Sequence, residues 1–499
     1  MKKDFIKTLI AAGGAIILML LFSGCTANSD NKQTVKIKGV VMERPERQPF
    51  KMPTMEEMMA ERGREGGPPG ESGGPPAGFP GVGGDEGSIP AVYIDNGRYS
   101  AAESKTDVVT AGKITDSYAS GVKIDAEGEK IGGVYVKGIG SEYVLSDADI
   151  EISGDESGLG GMTSGAASDD HGMLILKNVN ITAHGTKRSA TSAQNYSTLK
   201  VYNSTLIAHG APFELDTPIT EDTTRPFGGN ARAHVTMSNS YSYFYYSDII
   251  SDGHGALSTD ASQGFVYLEA NNCKVQTTKS GYGTYADGSC HNYFNNCEFD
   301  VASMAAIMAG ESDINFRDTK VKCGSYFVMI HAPMGNLAEV TTVRVIGGEI
   351  ACKETGVLIK SQNAILNFDG VKMTSENGIL VKSIVNKDPN ATRTEGQKVY
   401  GIHATFKNMD VAGDVVREDP DRTMSVYLES TILKGAMKDA IITIDARSKW
   451  IATADSEVTI VGNIDLSRID APTGVTISAV ASQSGTYSLA SGGILNVRI

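Results

Sequence analysis

Seven short segments of the chain share one pattern, in which four mostly apolar or small residues are followed by a fifth place that carries most of the charge. The segments read ALSTD, GTYAD, AIMAG, FVMIH, GVLIK, GILVK and GDVVR. Their fifth places, which we call the charged column, are Asp260, Asp287, Gly310, His331, Lys360, Lys382 and Arg417. If the segments stack as parallel strands, these residues line up along one face, acidic at one end and basic at the other.

The acidic end of the charged column predicts acid–base and cation chemistry. Neighbouring coils would set Asp260 and Asp287 about 5 Å apart at the backbone. Two such carboxylates resist joint ionisation, so they share a proton or bind a cation, for which Ca²⁺ is the natural choice. A histidine can act as acid or base near neutral pH, which makes Asp260, Asp287 and His331 the candidate catalytic residues. The simpler alternative is that the fifth place only marks where a strand leaves for a solvated turn.

The basic end of the charged column predicts binding of an acidic polymer. Lys360, Lys382 and Arg417 carry the charges that hold carboxylates or sulfates. Gly310 leaves a gap in which a sugar ring could rest. Stacked like charges at Lys360 and Lys382 are mildly unfavourable on their own, which hints at a binding partner for this end of the column.

A tyrosine-rich strand offers a second candidate binding surface. Tyr241, Tyr243 and Tyr245 alternate along the sequence, so they share one face of a strand. An exposed tyrosine ring offers an apolar face to the C–H side of a sugar. The alternative is that the long loop at residues 212–230 covers this strand. That loop and the one at residues 386–397 are large enough to wall a groove.

The segments of the charged column can line up only if the chain repeats, and the repeat is clearest in EANNCKVQ and YFNNCEFD. Turn-forming residues, which we call anchors, recur at many steps of 22–26 residues, and an apolar residue stands three places after most of them. The anchors are Asp147, Asn178, Asn203, Asn239, Asn272, Asn296, Asp318, Gly347, Gly370, Asn408, Ser430 and, loosely, Asp455. Short strands rich in valine, isoleucine and threonine at this period predict stacked coils rather than helical repeats.

The coil pattern resembles the right-handed parallel β-helices of the pectin-lyase-like superfamily over about residues 135–465. The predicted fold is all-β, a right-handed parallel β-helix (a solenoid) with capping strands at both ends. Pectate lyases of that superfamily hold calcium on stacked aspartates and use a basic residue as the base. The resemblance implies the first role for Asp260 and Asp287 and the second for Lys360. The lyase motifs Trp-Ile-Asp-His and Arg-x-Pro-x-x-Arg are missing.

One further motif is similar to that of polygalacturonases, which share the same fold. Gly253-His254-Gly255 matches their Gly-His-Gly, but their Asn-Thr-Asp and Arg-Ile-Lys motifs are absent. The only Asp-Asp pair, Asp169-Asp170, stands much too far upstream. A glycine-flanked histidine in a loop is the plainer interpretation of His254.

Alternation places the first, third and fifth residues after each anchor inside the coil. Cys273 and Cys297 then stack in one column, and Cys323 and Cys352 in another, as small buried hydrophobes. Each pair is either two free thiols or a disulfide, because identical register does not ensure disulfide geometry.

The N-terminus carries an export signal. Lys2, Lys3 and Lys7 precede an apolar run at residues 9–22 that is too short for a typical membrane span. The following LFSGC resembles the lipobox of bacterial lipoproteins, in which the signal peptide is cut before the cysteine. The resemblance implies that Cys25 carries lipid and anchors the protein to a bacterial membrane, at the cell surface or in the periplasm.

The chain is thus expected to have five parts. They are a lipoprotein signal peptide at 1–24, a disordered Gly/Pro-rich tether at 25–90, an N-terminal cap and first strands at 91–145, the parallel β-helix at 146–465 and C-terminal closing strands at 466–499. A formal net charge of −14 argues against a nucleic-acid partner. The leading expectation is a surface-anchored protein whose β-helix binds a polysaccharide, with acidic polymers as candidates. The alternatives are a non-enzymatic adhesin or structural rod, a subunit that docks on another surface protein, and a calcium-dependent polysaccharide lyase or glycoside hydrolase.

Overall fold

The computed structural model describes residues 87–499, apart from residues 155–159, 213–220, 222–228, 333–334, 337–338, 389–390 and 393–398. The predicted signal peptide, Cys25, the tether up to residue 86 and much of both long loops lie outside the described residues. Within the described part the chain is an all-β, right-handed parallel β-helix, which confirms the predicted fold class. Each coil contributes strands to three sheets. We number them from the sheet that leads into the anchor turn.

Sheet 1 holds the strands that lead into the anchor turns. Its strands pair in parallel, and two long strands bend so that their second halves join this sheet while their first halves join sheet 3. The strands of sheet 1 are Tyr118–Glu127, Glu142–Ser146, Met173–Lys177, Thr198–Tyr202, Tyr241–Tyr245, Gly255–Asn271, Tyr282–Asn295, Asp313–Arg317, Val340–Ile346, Asn363–Asp369, Ile402–Lys407, Met424–Glu429, Met437–Ile444, Ser456–Ile460, Thr476–Val480 and Ile494–Arg498.

Sheet 2 follows the anchor turns and is made of short strands that are also parallel. After the second half of Tyr118–Glu127, its strands are Asp149–Ser153, Asn180–His184, Thr205–His209, Asp248–Ser251, Lys274–Thr277, Glu298–Val301, Lys320–Cys323, Glu349–Cys352 and Lys372–Ser375. The strands Asp410–Ala412, Ile432–Lys434, Lys449–Ile451 and Ile469–Asp470 take the corresponding place in the last coils.

Sheet 3 closes each coil and carries the segments that define the charged column. Besides the first halves of the two bent strands, it contains Ile89–Asp95, Ile131–Lys137, Ala166–Asp169, Ser189–Ala193, Arg232–Met237, Met304–Ala309, Val328–His331, Val357–Lys360, Ile379–Ile384 and Asp414–Arg417. Short 3₁₀ helices lie at Ala101–Glu103, Thr106–Val108 and Gly161–Thr163, and a separate two-stranded pair joins Gly335–Asn336 with Ala391–Thr392.

The anchor residues adopt a left-handed backbone conformation, with φ of 56° at Asn272, 52° at Asn296 and 49° at Asp318. Asparagine, aspartate and glycine reach this region more readily than other residues, which is why the repeat is visible in the sequence. The Asn296 side-chain amide donates to the side-chain oxygen of Asn272 at 2.5 Å. The Asn-Asn-Cys repeat therefore combines a left-handed turn, an amide ladder and an inward thiol.

Two of the expected anchors are wrong. Tyr202 pairs with Tyr245, so the anchor place of that coil falls on Tyr246, whose φ is 52°, and not on Asn239. The buried Ile249 then stands three places after the anchor, as the pattern requires. Asp455 precedes a strand of sheet 1 instead of following one. The turn fixes a backbone conformation and not a residue type, so a tyrosine anchor could not be recognised by composition.

The interior of the coils is one continuous apolar column. Inward places such as Val179, Ile181 and Ala183 are fully inaccessible. The ring centroids of Phe294 and Phe316 lie 5.2 Å apart, so aromatic rings stack from coil to coil. Apolar burial stabilises the fold by about 25 cal/mol per Å² of buried area, which makes this column the main source of stability.

The stacked cysteines occupy the predicted inward places. Cys323 pairs directly with Cys352, and Cys273 and Cys297 stand immediately before directly paired residues. All four are at most 3% exposed and all are free thiols. Their core stacking is confirmed, and of the two states left open for each pair the structure has the reduced one.

Antiparallel strands close both ends of the stack, which confirms the predicted caps. Arg98–Tyr99 turns back on the first strand, and Val109–Ile114 pairs antiparallel with Tyr118–Glu127. At the other end Gly485–Ser488 pairs antiparallel with Ile494–Arg498. An uncovered terminal coil would present unpaired backbone groups to other chains.

Removal of one ring from the core column should destabilise the protein strongly. We expect Phe316→Ala to lower the free energy of unfolding by about 3–5 kcal/mol, because the cavity loses both apolar transfer energy and ring contacts. Ile139→Ala, at a residue that is 50% exposed, should cost less than about 1 kcal/mol. Urea unfolding followed by circular dichroism measures both variants, and equal losses would contradict a continuous ring stack.

Candidate functional site

The structure assembles the charged column in part. Asp260 pairs directly with Asp287, and Asp287 with Ala309, so the two carboxylates are neighbours on sheet 3. His331 pairs directly with Lys360 further along the same line. Asp260 and Asp287 are half-buried, whereas His331 and Lys360 are at most 2% exposed. The column therefore has a partly accessible acidic end and an enclosed His–Lys pair.

The last two members of the charged column fall out of line. Lys382 pairs with Leu358, two places before Lys360, and Arg417 pairs with Ser383. Val357 pairs with Val381, so this strand is offset by two places from the alignment that the sequence pattern suggested. The expectation that seven residues share one line is therefore wrong at Gly310, whose place opposite Asp287 is taken by Ala309, and wrong again beyond Lys360.

The cations at this end are engaged by acidic groups of the protein itself. Lys382 Nζ lies 2.7 Å from Glu221 Oε2 and 3.4 Å from Glu418 Oε2. Burial alone would lower the pKa of Lys382, but these two carboxylates hold it above its ordinary value. Arg417 lies 3.5 Å from the carboxylate of Asp439 and donates to backbone oxygens. This pairing does not favour an open basic groove for an acidic polymer.

The acidic end is a tightly linked polar cluster. Burial raises the pKa of Asp287 above its ordinary value, although Tyr285 Oη donates to Asp287 Oδ2 at 2.9 Å and opposes the shift. The buried thiol of Cys290 donates to the backbone oxygen of Asp287 at 3.0 Å. Asp260 stands directly opposite Asp287 in the register and adds a second carboxylate to the cluster.

A third carboxylate, that of Glu339, lies close to Gly310, in a bend just before the strand Val340–Ile346 that the sequence did not connect with the column. A Cβ atom built on Gly310 would lie 3.1 Å from Glu339 Oε2 and 2.9 Å from the backbone nitrogen of Gly288. The predicted gap at Gly310 is thus bordered by a carboxylate. Within the residues that the structure describes, no three His, Cys, Asp or Glu side chains are grouped to hold a metal ion. The Ca²⁺ prediction rests on Asp260 and Asp287 alone.

The three predicted tyrosines share the outer face of sheet 1. Tyr241 is 5% exposed and packs edge-on against Phe265, with ring centroids 5.4 Å apart. Tyr243 and Tyr245 are half-buried and reach the surface. Two of the three rings therefore remain accessible to a ligand, whereas Tyr241 packs against Phe265 and Tyr267.

Tyrosines from three neighbouring coils join this cluster. Tyr202 stacks on Tyr245 with centroids 4.9 Å apart and an interplanar angle of 8°. Tyr267 contacts Tyr243 at 5.6 Å and Tyr293 at 5.4 Å. We call the resulting surface the tyrosine face, made of Tyr202, Tyr241, Tyr243, Tyr245, Tyr267 and Tyr293. Such stacking fixes the rings before any ligand arrives.

A fixed carboxylate lies inside the tyrosine face. Glu269 stands directly between Tyr243 and Tyr293 in the strand register. Tyr267 Oη donates to Glu269 Oε2 at 2.7 Å, and Asn271 Nδ2 donates to Oε1 at 2.9 Å. Burial raises the pKa of Tyr243 and Tyr293 to about 12, so both hydroxyls keep their protons at neutral pH. The face thus offers rings, hydroxyl groups and an acceptor in one rigid array.

An ion pair borders the tyrosine face. Arg344 Nη1 lies 2.6 Å from Asp313 Oδ1, and His291 Nδ1 lies 3.9 Å from Asp313 Oδ2. Burial alone would raise the pKa of Asp313, but these two partners hold it below its ordinary value. The Arg344 side chain is 33% exposed, so its guanidinium still reaches the surface.

The sequence analysis did not identify Tyr267, Glu269 and Tyr293 as site residues, although their spacing from the anchors marks them. Tyr267 and Glu269 stand five and three places before the anchor Asn272, and Tyr293 stands three places before Asn296. Polar and aromatic residues at those two places mark the outer face of sheet 1. The wrong anchor at Asn239 hid this alignment, because it left the first tyrosine strand out of register.

Other features lie apart from these two surfaces. His254 Nδ1 lies 3.3 Å from the backbone oxygen of Gly229, and its ring meets Tyr282 edge-on, as expected of a loop histidine. A groove of about 830 Å³ near the C-terminal end is bordered by Glu457 and Arg498, and none of the predicted site residues lines it.

No protein-family model and no curated protein matches this chain. Among the residues that the structure describes, no helix has the length and apolar character needed to cross a membrane.

Asp287 and Asp313 predict opposite responses of stability to pH. The raised pKa of Asp287 means that the folded state binds its proton more tightly, so stability falls as pH rises from about 4 through that pKa. Asp287→Asn should therefore raise the free energy of unfolding at pH 7 and change it little near pH 4.

Asp313→Asn is the matched control, because the lowered pKa of Asp313 stabilises the fold above about pH 4 and that stability is lost at lower pH. It should destabilise the protein at pH 7. Urea midpoints at both pH values measure the two variants. Loss of stability at pH 7 in Asp287→Asn would contradict the burial argument.

Proposed function

We propose that this chain is an exported, membrane-anchored protein whose β-helix binds a polysaccharide on the tyrosine face. One observation carries the proposal, namely the in-register line Tyr243–Glu269–Tyr293 on a rigid sheet, with Tyr267 packed against all three. Sugar binding needs apolar ring surface beside fixed hydrogen-bonding groups, and this line supplies both.

The charge around the tyrosine face favours a hydroxyl-rich, neutral polysaccharide. Lys200, which pairs directly with Tyr243, and Arg344 border the face together with the carboxylates of Glu269 and Asp313, so basic and acidic groups are mixed there. An acidic polymer would gain nothing there from electrostatics and would meet the overall charge of −14. Acidic glycans are the second candidate, through Lys382 and Arg417, if a ligand displaces their acidic partners, whereas the predicted ligand residue Lys360 is enclosed.

An enzymatic alternative is favoured by the Asp260–Asp287 and His331–Lys360 pairs, which place acidic and basic groups on one line. Under this alternative the chain is a lyase or glycoside hydrolase of the pectin-lyase-like superfamily, with Ca²⁺ on the aspartates. The non-enzymatic rod or docking subunit needs only the stacked coils. Unsaturated uronate absorbance with pectate or alginate and Ca²⁺, lost in Asp287→Ala, would establish the lyase.

Removal of one ring from the tyrosine face should weaken polysaccharide binding. We expect Tyr243→Ala to lower affinity about 10-fold and Glu269→Gln about 5-fold, because each loses one contact of a preorganised site. The matched control Tyr118→Ala removes a 36% exposed tyrosine at the N-terminal end and should change nothing. Affinity electrophoresis of the purified protein on xylan, hydroxyethylcellulose, glucomannan, pectate and alginate measures all four proteins.

Each outcome of that experiment decides between the candidates. Binding to pectate that survives Tyr243→Ala but is lost in Arg417→Ala would move the site to sheet 3. Absence of binding to all five polymers would refute the polysaccharide proposal and favour the rod or docking subunit.

The membrane anchor is a separate part of the proposal. We propose that LFSGC is a lipobox and that Cys25 is lipidated after cleavage. Cells that express the protein should incorporate labelled palmitate into it, and Cys25→Ala should abolish the label and release the protein from the membrane fraction. Label that persists in Cys25→Ala, or absence of label from the wild-type protein, would contradict lipidation at this residue.

A further inference from the structure

The line through the tyrosine face does not end at Tyr293. Direct pairing continues it, one residue per coil, through polar residues to a second aromatic ring. In order the line is Tyr243, Glu269, Tyr293, Asn315, Arg344, Asn367, Thr405 and Tyr427. All eight carry a hydrogen-bonding group, and no aliphatic residue interrupts them. Seven steps between strands span about 34 Å, at about 4.8 Å each.

The far end of the line is fixed by a buried histidine. His403 is 2% exposed, and its Nε2 lies 2.9 Å from the backbone oxygen of Tyr400, which requires Nε2–H to be the donor. His403 Nδ1, 3.3 Å from Tyr427 Oη, is then the acceptor of the tyrosine hydroxyl. The His403 and Tyr427 rings are nearly parallel, at 12°, with centroids 6.2 Å apart. Tyr427, which is half-buried, is therefore a second oriented ring at the surface.

The middle of the line is polar and fixed. Asp313 binds the Arg344 guanidinium at 2.6 Å and also accepts from Asn315 Nδ2 at 3.4 Å. Asn315, Arg344 and Asn367 are all half-buried, so their side chains reach the surface from strands that cannot move independently. Hydrogen-bonding groups thus reach the surface at every coil from Tyr293 to Asn367, and the coil of the buried Thr405 is the one between them and Tyr427 that offers none.

We propose that one extended polysaccharide chain lies along the axis of the β-helix and contacts both aromatic ends, from Tyr243 to Tyr427. This inference rests on the proposed function and specifies its ligand as a straight, unbranched chain of at least about 34 Å. A coiled or densely branched glycan cannot follow a straight line of single residues. Two linked contacts raise affinity far above either one alone, provided that the ligand spans both.

Ligand length tests the inference. The probes are size-fractionated oligosaccharides of whichever polymer binds most tightly among xylan, hydroxyethylcellulose, glucomannan, pectate and alginate, measured by calorimetry on the purified full-length protein. We expect affinity to rise about 10-fold as the chain length passes the span from Tyr243 to Tyr427. Tyr427→Ala should remove that rise and leave the shorter fractions unchanged, while Tyr243→Ala weakens binding at every length.

Three controls make the result specific. Tyr427→Phe keeps the ring and should retain most of the rise, whereas Tyr118→Ala should behave as wild type at all lengths. If Tyr427→Ala fails to fold by circular dichroism, Asn367→Ala replaces it and should weaken only the longer fractions. Binding that depends on Tyr243 but shows no rise with length, with a silent Tyr427→Ala, overturns the axial chain and leaves the proposed function intact. Absence of binding to every polymer overturns both.

Discussion

In-register stacking of one coil on the next is the constraint on which the rest of this structure depends. Backbone hydrogen bonds join each strand only to its neighbours, so the place of a residue relative to the turn decides both the face it occupies and the residues beside it. The same rule buries the phenylalanine stack, pairs Cys323 with Cys352 and aligns Tyr243 with Glu269. The same strand register thus determines which residues stack in the core and which residues align on the surface.

Much of this register could be predicted from the sequence, because the turn needs a left-handed residue that is usually Asn, Asp or Gly. The fold class, the caps, the inward cysteines and the neighbouring pair Asp260–Asp287 all follow from it. The prediction failed where the turn accepted a residue of another type, at Tyr246, and where a strand slipped, before Lys382. Both failures are local backbone events that residue identities do not encode.

Contacts between distant segments set a second boundary to prediction. Glu221 and Lys382 are 161 residues apart, yet their side chains meet at 2.7 Å. Glu339 reaches the gap at Gly310 from outside the repeat pattern. Glu221 neutralises a lysine of the charged column and Glu339 borders the column at Gly310. Neither contact can be predicted from the sequence period. The tyrosine face differs because its residues all come from the repeat itself, so its geometry follows from the fold alone.

The capped stack also allows the number of coils to change during evolution. Each coil contacts only its neighbours, and the antiparallel strands seal only the two ends, so duplication of one unit between them leaves every other coil unchanged. A unit such as the 24 residues from Asn272 to Asn296 would add about 4.8 Å to the outer face of sheet 1. Duplication or deletion of repeat units could therefore lengthen or shorten this surface by whole coils without a change in the core packing of the others.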